Sequence, residues 1–184
     1  GSKALIVPTG GSDGIGAWGY IAACEELADD FAARAIAQAH LVTASGSGGT
    51  QAGLTLGVAL HGLPATVWGV NVCDDERYFL DKIAADAADW AQRYPGASAP
   101  ALDIRVLDGY VGQGYGLAGE DVFALIAELA SLEGLVLDPV YTGKAFSGML
   151  AEIAAGRFQG VRDIVFIHTG GIFGLFPQRG GFSW

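Results

Sequence analysis

Positive charge is scarce in this chain. Ten lysines and arginines stand against twenty aspartates and glutamates, a formal net charge of −10 over 184 residues. A surface so acidic repels phosphate backbones and anionic bilayers, so neither nucleic acid nor a membrane surface is an expected partner. No apolar run reaches 18 uncharged residues, which excludes a predicted membrane-spanning helix. The first residues lack the basic, apolar and small-residue series of a signal peptide. Cys24 and Cys73 are the two cysteines, with no metal-ligand spacing between them; two reduced thiols in a cytoplasmic protein are expected, and no metal site. Of the ten cationic residues only three are lysines, Lys3, Lys82 and Lys144.

What the chain has in plenty is apolar surface and glycine. A hydrophobic fraction of 51% excludes disorder, and 184 residues suit one domain with a sizeable core. Short β-rich runs recur at residues 4–7, 41–44, 65–72, 102–107, 135–137 and 164–167. Helix-period stretches fall between them at 17–37, 50–60, 75–93, 120–132 and 145–155. The strand runs are continuously apolar, the pattern of strands buried on both faces. The alternation predicts an α/β three-layer sandwich with a mostly parallel sheet and helices on both sides. In such a sheet, ligands bind beyond the carboxyl ends of the strands.

Several glycine motifs compete for that role. Gly14-Ile15-Gly16-Ala17-Trp18-Gly19 is a literal G-x-G-x-x-G, but no acidic residue ends the next strand and Trp18 is bulky, so packing is the expected role. Gly143-Lys144 is not a phosphate-binding Walker motif: Ala145 replaces the required hydroxyl residue, and Asp138 stands where the first glycine belongs. Ser45-Gly46-Ser47-Gly48-Gly49-Thr50 fits an anion better. It joins a buried strand to a helix, where backbone N–H groups and the positive helix end converge, and Ser47 and Thr50 add hydroxyls. Later segments, VLDPVYTGKA with Tyr141, Thr142 and Lys144, and IVFIHTGG with His168 and Thr169, are expected on the same sheet edge. His168 reads as a core histidine with a hydrogen-bonded ring. The Gly- and Tyr-rich stretch 108–119 reads as a functional loop.

SGSGGTQAGL, DGYVGQGYG, LDPVYTGKA and FIHTGG occur in this order, with IVPTGGSDGIGAWGYIAACEEL before them and DDERYFLDKI after WGVNV. Together they resemble the pyridoxal-phosphate enzymes that include D-cysteine desulfhydrase and 1-aminocyclopropane-1-carboxylate deaminase. The resemblance runs through essentially the whole chain. It implies the tryptophan synthase β-like fold (fold type II), pyridoxal 5'-phosphate as cofactor, an amino-acid substrate and a homodimer. By resemblance, Ser45, Gly46, Ser47, Gly48, Gly49 and Thr50 hold the cofactor phosphate. Thr142 faces the pyridine nitrogen with Thr169 close by, and Tyr141 and Tyr115 flank the substrate. Deaminase members usually carry Glu and Leu where this chain has Thr142 and Thr169. A neutral hydroxyl stabilises a protonated ring nitrogen less than a carboxylate does, which suits elimination of a good thiol leaving group.

The resemblance also implies that residues 1–184 are the C-terminal portion of the large cofactor-binding domain. Family members are longer, and the segment with the lysine that bonds the cofactor, together with a smaller domain, precedes Gly1. The expectation is therefore part of a D-cysteine desulfhydrase-type lyase, inactive alone and completed by an N-terminal portion or a second chain. Deamination of the cyclopropane amino acid is the alternative chemistry. A non-catalytic module holding a phosphorylated ligand is the alternative from another class.

Overall fold

The computed structural model describes residue 4, residues 6–96 and residues 101–182. Four strands form one sheet: β1 (Ala39–Ser45), β2 (Ala65–Asn71), β3 (Arg105–Leu107) and β4 (Asp163–Phe166). Their order is β3-β2-β1-β4, and every neighbouring pair is parallel. Five α-helices accompany them: α1 (Trp18–Arg34), α2 (Gly49–His61), α3 (Glu76–Arg93), α4 (Glu120–Glu133) and α5 (Thr142–Ala154).

The continuous apolar character of β1 has the expected cause, since all seven of its residues are buried. Ala39 and Leu41 face Cys24, Phe31 and Leu54 of α1 and α2. Val42 and Ala44 point the other way, packing with Trp68 and Val70 against Ala145 and Met149 of α5. Trp90 and Phe79 carry α3 onto the first side, while Val122 and Ile126 carry α4 onto the second. Helices therefore cover both faces, and the three layers follow from the period-2 alternation of buried strands.

Among the described residues, two expected runs form no strand. Of the run 4–7, Leu5 lies outside the described residues, as does Lys3; Ala4, Ile6 and Val7 pair with no strand, and Ile6 and Val7 are exposed. The run 135–137 joins no strand: the His168 ring takes the Val136 carbonyl (3.0 Å), and Leu137 is buried against Val122 and Ile126. An apolar run becomes a strand only where a neighbouring backbone accepts its ladder.

Tight side-chain stitching fixes the sheet centre. The Gln51 amide donates to the Arg105 carbonyl (2.7 Å), and its carbonyl oxygen accepts from the Ser45 hydroxyl (2.5 Å). Both bonds pass over Gly69, where a Cβ would lie 1.6 Å from Gln51 Oε1. Gly69→Ala should therefore expel Gln51 and leave buried polar groups unpaired, costing at least about 3 kcal/mol in urea unfolding.

His40 is buried beside Trp68, whose indole N–H donates to His40 Nδ1 (3.0 Å). Burial, with the nearby Arg105 guanidinium, lowers its pKa below the ordinary histidine value. A base with a depressed folded pKa contributes stability above its unfolded value, about 6.5, and that stability is lost as pH falls through the folded value. The urea midpoint should fall on acidification from pH 7 to 5, and His40→Gln should flatten that fall.

Candidate functional site

The loops that follow the strand carboxyl ends meet at one sheet edge. After β1, Gly46, Ser47 and Gly48 turn into α2; Gly48 has φ +89°, a left-handed geometry suited to glycine. The first turn of α2 presents N–H groups that have no acceptor within the helix. The turn is clamped from outside. Ser12 Oγ donates to Ser47 Oγ (2.7 Å) and accepts from Gly49 N–H (3.1 Å). Lys82 Nζ in turn donates to the Ser12 carbonyl (3.0 Å) and is ion-paired with Asp86, whose carboxyl pKa burial raises. Cys73 Sγ donates to the Gly46 carbonyl (3.2 Å); burial and neighbouring Asp74 push that thiol up, so it stays protonated.

Across from this turn stands the entry to α5. The buried Asp138 carboxylate accepts the N–H groups of Val140 (2.8 Å), Tyr141 (2.9 Å) and Thr142 (2.8 Å), and the Thr142 hydroxyl (2.7 Å). The Tyr141 ring comes so close to the loop that a Cβ on Gly46 would lie 2.7 Å from it. Its hydroxyl is hydrogen-bonded to that of Tyr115, which reaches in from the 108–119 loop. Desolvation, reinforced by Tyr115, raises the Tyr141 phenol well above its ordinary pKa. The post-β4 loop closes the third side: a Cβ on Gly171 would meet the Asp138 carboxyl at 2.7 Å.

These walls enclose a cavity of about 280 Å³ lined by Gly46, Ser47, Gly48 and Thr50 on one side and by Asp138, Tyr141 and Thr169 on the other. Of the residues singled out in the sequence, Gly46, Ser47, Gly48, Thr50, Tyr141 and Thr169 line this one space. Ser45 and Gly49 do not line it: the Ser45 hydroxyl is turned inward to Gln51, and Gly49 N–H is taken by Ser12. Thr142 is buried behind Asp138, its hydroxyl donating to the carboxylate and accepting from Asp138 N–H (2.9 Å). Tyr115 touches the site through Tyr141 alone. Contrary to expectation, His168 is exposed, with Nε2 on the Val136 carbonyl and Nδ1 accepting Gly170 N–H (3.0 Å). Ser12 and Asp138 were missed; the small-polar residue ahead of a glycine helix entry, and the Asp-Pro before a helix, were the available signals.

The amides that open the Gly14–Gly19 motif are taken within the protein. Asp89 accepts Gly14 N–H (2.8 Å), and Asp13 accepts those of Ile15 (2.9 Å) and Gly16 (2.8 Å), so these amides are already satisfied. Among the described residues no His, Cys, Asp and Glu side chains gather into a metal-binding group, and no helix is long and apolar enough to cross a membrane.

With this geometry in hand, comparison with known proteins is decisive. The family profile described as "Pyridoxal-phosphate dependent enzyme" matches residues 1–170. The chain belongs to that family. It is 39% identical over 185 residues to a D-cysteine desulfhydrase of Klebsiella pneumoniae subsp. pneumoniae, covering 97% of this chain and 54% of that protein. It is 38% identical over 182 residues to the mitochondrial bifunctional D-cysteine desulfhydrase/1-aminocyclopropane-1-carboxylate deaminase of Arabidopsis thaliana, covering 97% of this chain and 44% of that one. A solved structure of an ACC deaminase homologue superimposes with a TM-score of 0.79 and 32% identity, over 95% of this chain and 51% of the other. The chain thus spans about half the length of the relatives it matches, and the fold is that of fold type II pyridoxal-phosphate enzymes.

The family's cofactor is pyridoxal phosphate, and the cavity suits its phosphate end. Glycines keep the Gly46–Gly48 wall free of side chains, Ser47 and Thr50 supply hydroxyls, and the α2 N-terminus favours an anion. Neither Lys82 nor Lys144 lines the cavity, and each is hydrogen-bonded elsewhere. Gly48→Ala, by forcing a Cβ into a left-handed conformation, should cost about 1–2 kcal/mol and weaken pyridoxal phosphate binding roughly tenfold in a fluorescence titration.

Proposed function

We propose that this chain is the C-terminal portion of the large cofactor-binding domain of a pyridoxal-phosphate lyase of the D-cysteine desulfhydrase type. The overall reaction converts D-cysteine and water to sulfide, pyruvate and ammonia. The observation that carries the reading is the convergence of the Gly46–Thr50 turn, Tyr141 and Thr169 on one cavity. When bound, the cofactor supplies an electron sink for the substrate α-carbon.

The chain's own residues then have distinct tasks. Ser47, Thr50 and the backbone of Gly46 to Gly48 bind the phosphate, steadied by Ser12. Thr169 lines the cavity and would stand close to a bound cofactor, while Thr142 would act through Asp138, whose carboxylate its hydroxyl holds. Tyr141, kept protonated by its raised pKa, serves as a proton donor and hydrogen-bond donor to the substrate rather than as a phenolate base. Tyr115 holds the Tyr141 hydroxyl in place. Lys82 and Lys144 are hydrogen-bonded away from the cavity, and on this reading, as the resemblance implies, the lysine that bonds the cofactor belongs to an N-terminal portion or a second chain. The protein so completed is a cytoplasmic homodimer, and this chain alone is inactive.

Deamination of 1-aminocyclopropane-1-carboxylate is the second reading, favoured by the names of the Arabidopsis relative and of the solved homologue. Threonine at 142 and 169, where deaminase members usually carry Glu and Leu, favours thiol elimination over it; of the two, Thr169 lines the cavity, whereas the Thr142 hydroxyl is taken by Asp138. Sulfide from D-cysteine and ammonia from the cyclopropane amino acid should be measured side by side on the complete protein. Faster sulfide release is expected, and faster ring opening overturns the choice of substrate. Tyr141→Phe should lower turnover by about 100-fold or more while the bound-cofactor absorbance persists.

A further inference from the structure

Lys144 is used by none of the chemistry above, yet it is among the most buried charged residues of the chain, at 2% exposure. It lies on α5 one turn beyond Tyr141's entry to that helix. Its Nζ donates to two backbone carbonyls, those of Val111 (2.7 Å) and Gly114 (2.8 Å). No carboxylate is paired with it among the described residues. Burying an amine without a counter-ion is costly, and here burial pushes its pKa down. Such a residue is held in place by what it fastens.

What it fastens is the tip of the 108–119 loop. That loop has neither helix nor strand, and Gly109, Gly112, Gly114 and Gly116 all have positive φ. Its base is anchored where the Asn71 amide donates to Asp108 (2.9 Å), and Tyr110 donates to Glu152 (2.9 Å). Beyond Tyr110 the side-chain anchors are the two Lys144 bonds and the hydroxyl pair of Tyr115 with Tyr141. Tyr115 follows Gly114 directly and is 59% exposed, so packing does little to hold it.

We propose that Lys144 is a positioning residue: it pins the Val111–Gly114 turn to α5 and thereby keeps the Tyr115 hydroxyl against that of Tyr141. The fastening stands on geometry alone; its consequence for turnover rests on the function proposed above. A glycine-rich loop with positive φ at four positions has many alternative backbone states. Two hydrogen bonds from one rigid helix select a single state, and with it the placement of the next side chain.

The test uses the complete protein with Lys144→Met, which keeps length and bulk and removes the donors. Amide hydrogen exchange over residues 111–117 should quicken by about tenfold or more while residues 46–57 remain unchanged. Unaltered exchange in the loop overturns the proposal, as does equal acceleration in both segments, which would mark a general packing defect. A double-mutant cycle reads the same coupling in turnover: Tyr115→Phe should slow the wild type but add nothing in the Lys144→Met background. Additive effects overturn the positioning role. Lys144→Gln, with a shorter donor, should quicken loop exchange less than Lys144→Met; global unfolding of both variants would make Lys144 a core residue and overturn the proposal. The exchange measurement needs no cofactor, so failure of the protein to bind pyridoxal phosphate would sink the function proposed above while leaving the fastening of the loop to be read independently.

Discussion

The Asp138 carboxylate is the interaction on which the site's shape depends. It is buried, and four donors from Val140, Tyr141 and Thr142 converge on it. A buried carboxylate is tolerable only when its oxygens are filled with hydrogen bonds, and the α5 N-terminus supplies both donors and a favourable helix dipole. Because Tyr141 N–H is one of those donors, the position of the Tyr141 backbone follows from the position of Asp138. The ring then stands over Gly46, and Gly171 closes on the carboxyl from the far side. Three loops that are distant in sequence thus take their separations from one charged group.

The opposite wall is held by a different logic. Ser12 occupies the space that a Cβ on Gly49 would need, and couples the turn through Lys82 to Asp86. The hydroxyls and amides of the cradle are therefore oriented before any ligand arrives, which reduces the ordering that binding must impose. The 108–119 loop is the contrast. Its base is held by Asn71 and by the packing of Tyr110, but the placement of its tip comes from a few directed bonds to α5 and Tyr141. A rigid anion cradle beside a fastened, glycine-rich tyrosine loop is a division suited to an enzyme that grips one end of a cofactor while admitting a substrate at the other.

Much of this was legible in the sequence. Apolar continuity in residues 41–44 and 65–72 announced strands buried on both faces, and the helix-period segments appear within a few residues of their expected bounds. The serine–glycine knot announced the turn between a buried strand and a helix, and it stands there, between β1 and α2. The runs 4–7 and 135–137 were misread because strand formation depends on a partner backbone, which hydropathy does not record. The G-x-G-x-x-G motif, expected to serve packing, has its amides taken by Asp13 and Asp89. Asp89 lies 75 residues away in the chain from Gly14.

The sequence by itself determined the layered α/β class, the sheet edge at which the functional loops gather, and the residue types able to hold a phosphate. These follow from local periodicity and from the conformational freedom of glycine, which are properties of short segments. Only the tertiary structure decided which hydroxyls face the cavity. Ser45 and Thr142 turn away from it because Gln51 and Asp138 satisfy them first, whereas Ser47 is steadied by Ser12, 35 residues distant, and faces inward. The direction of a polar side chain is set by the nearest competing partner, and that partner is brought near only by the fold.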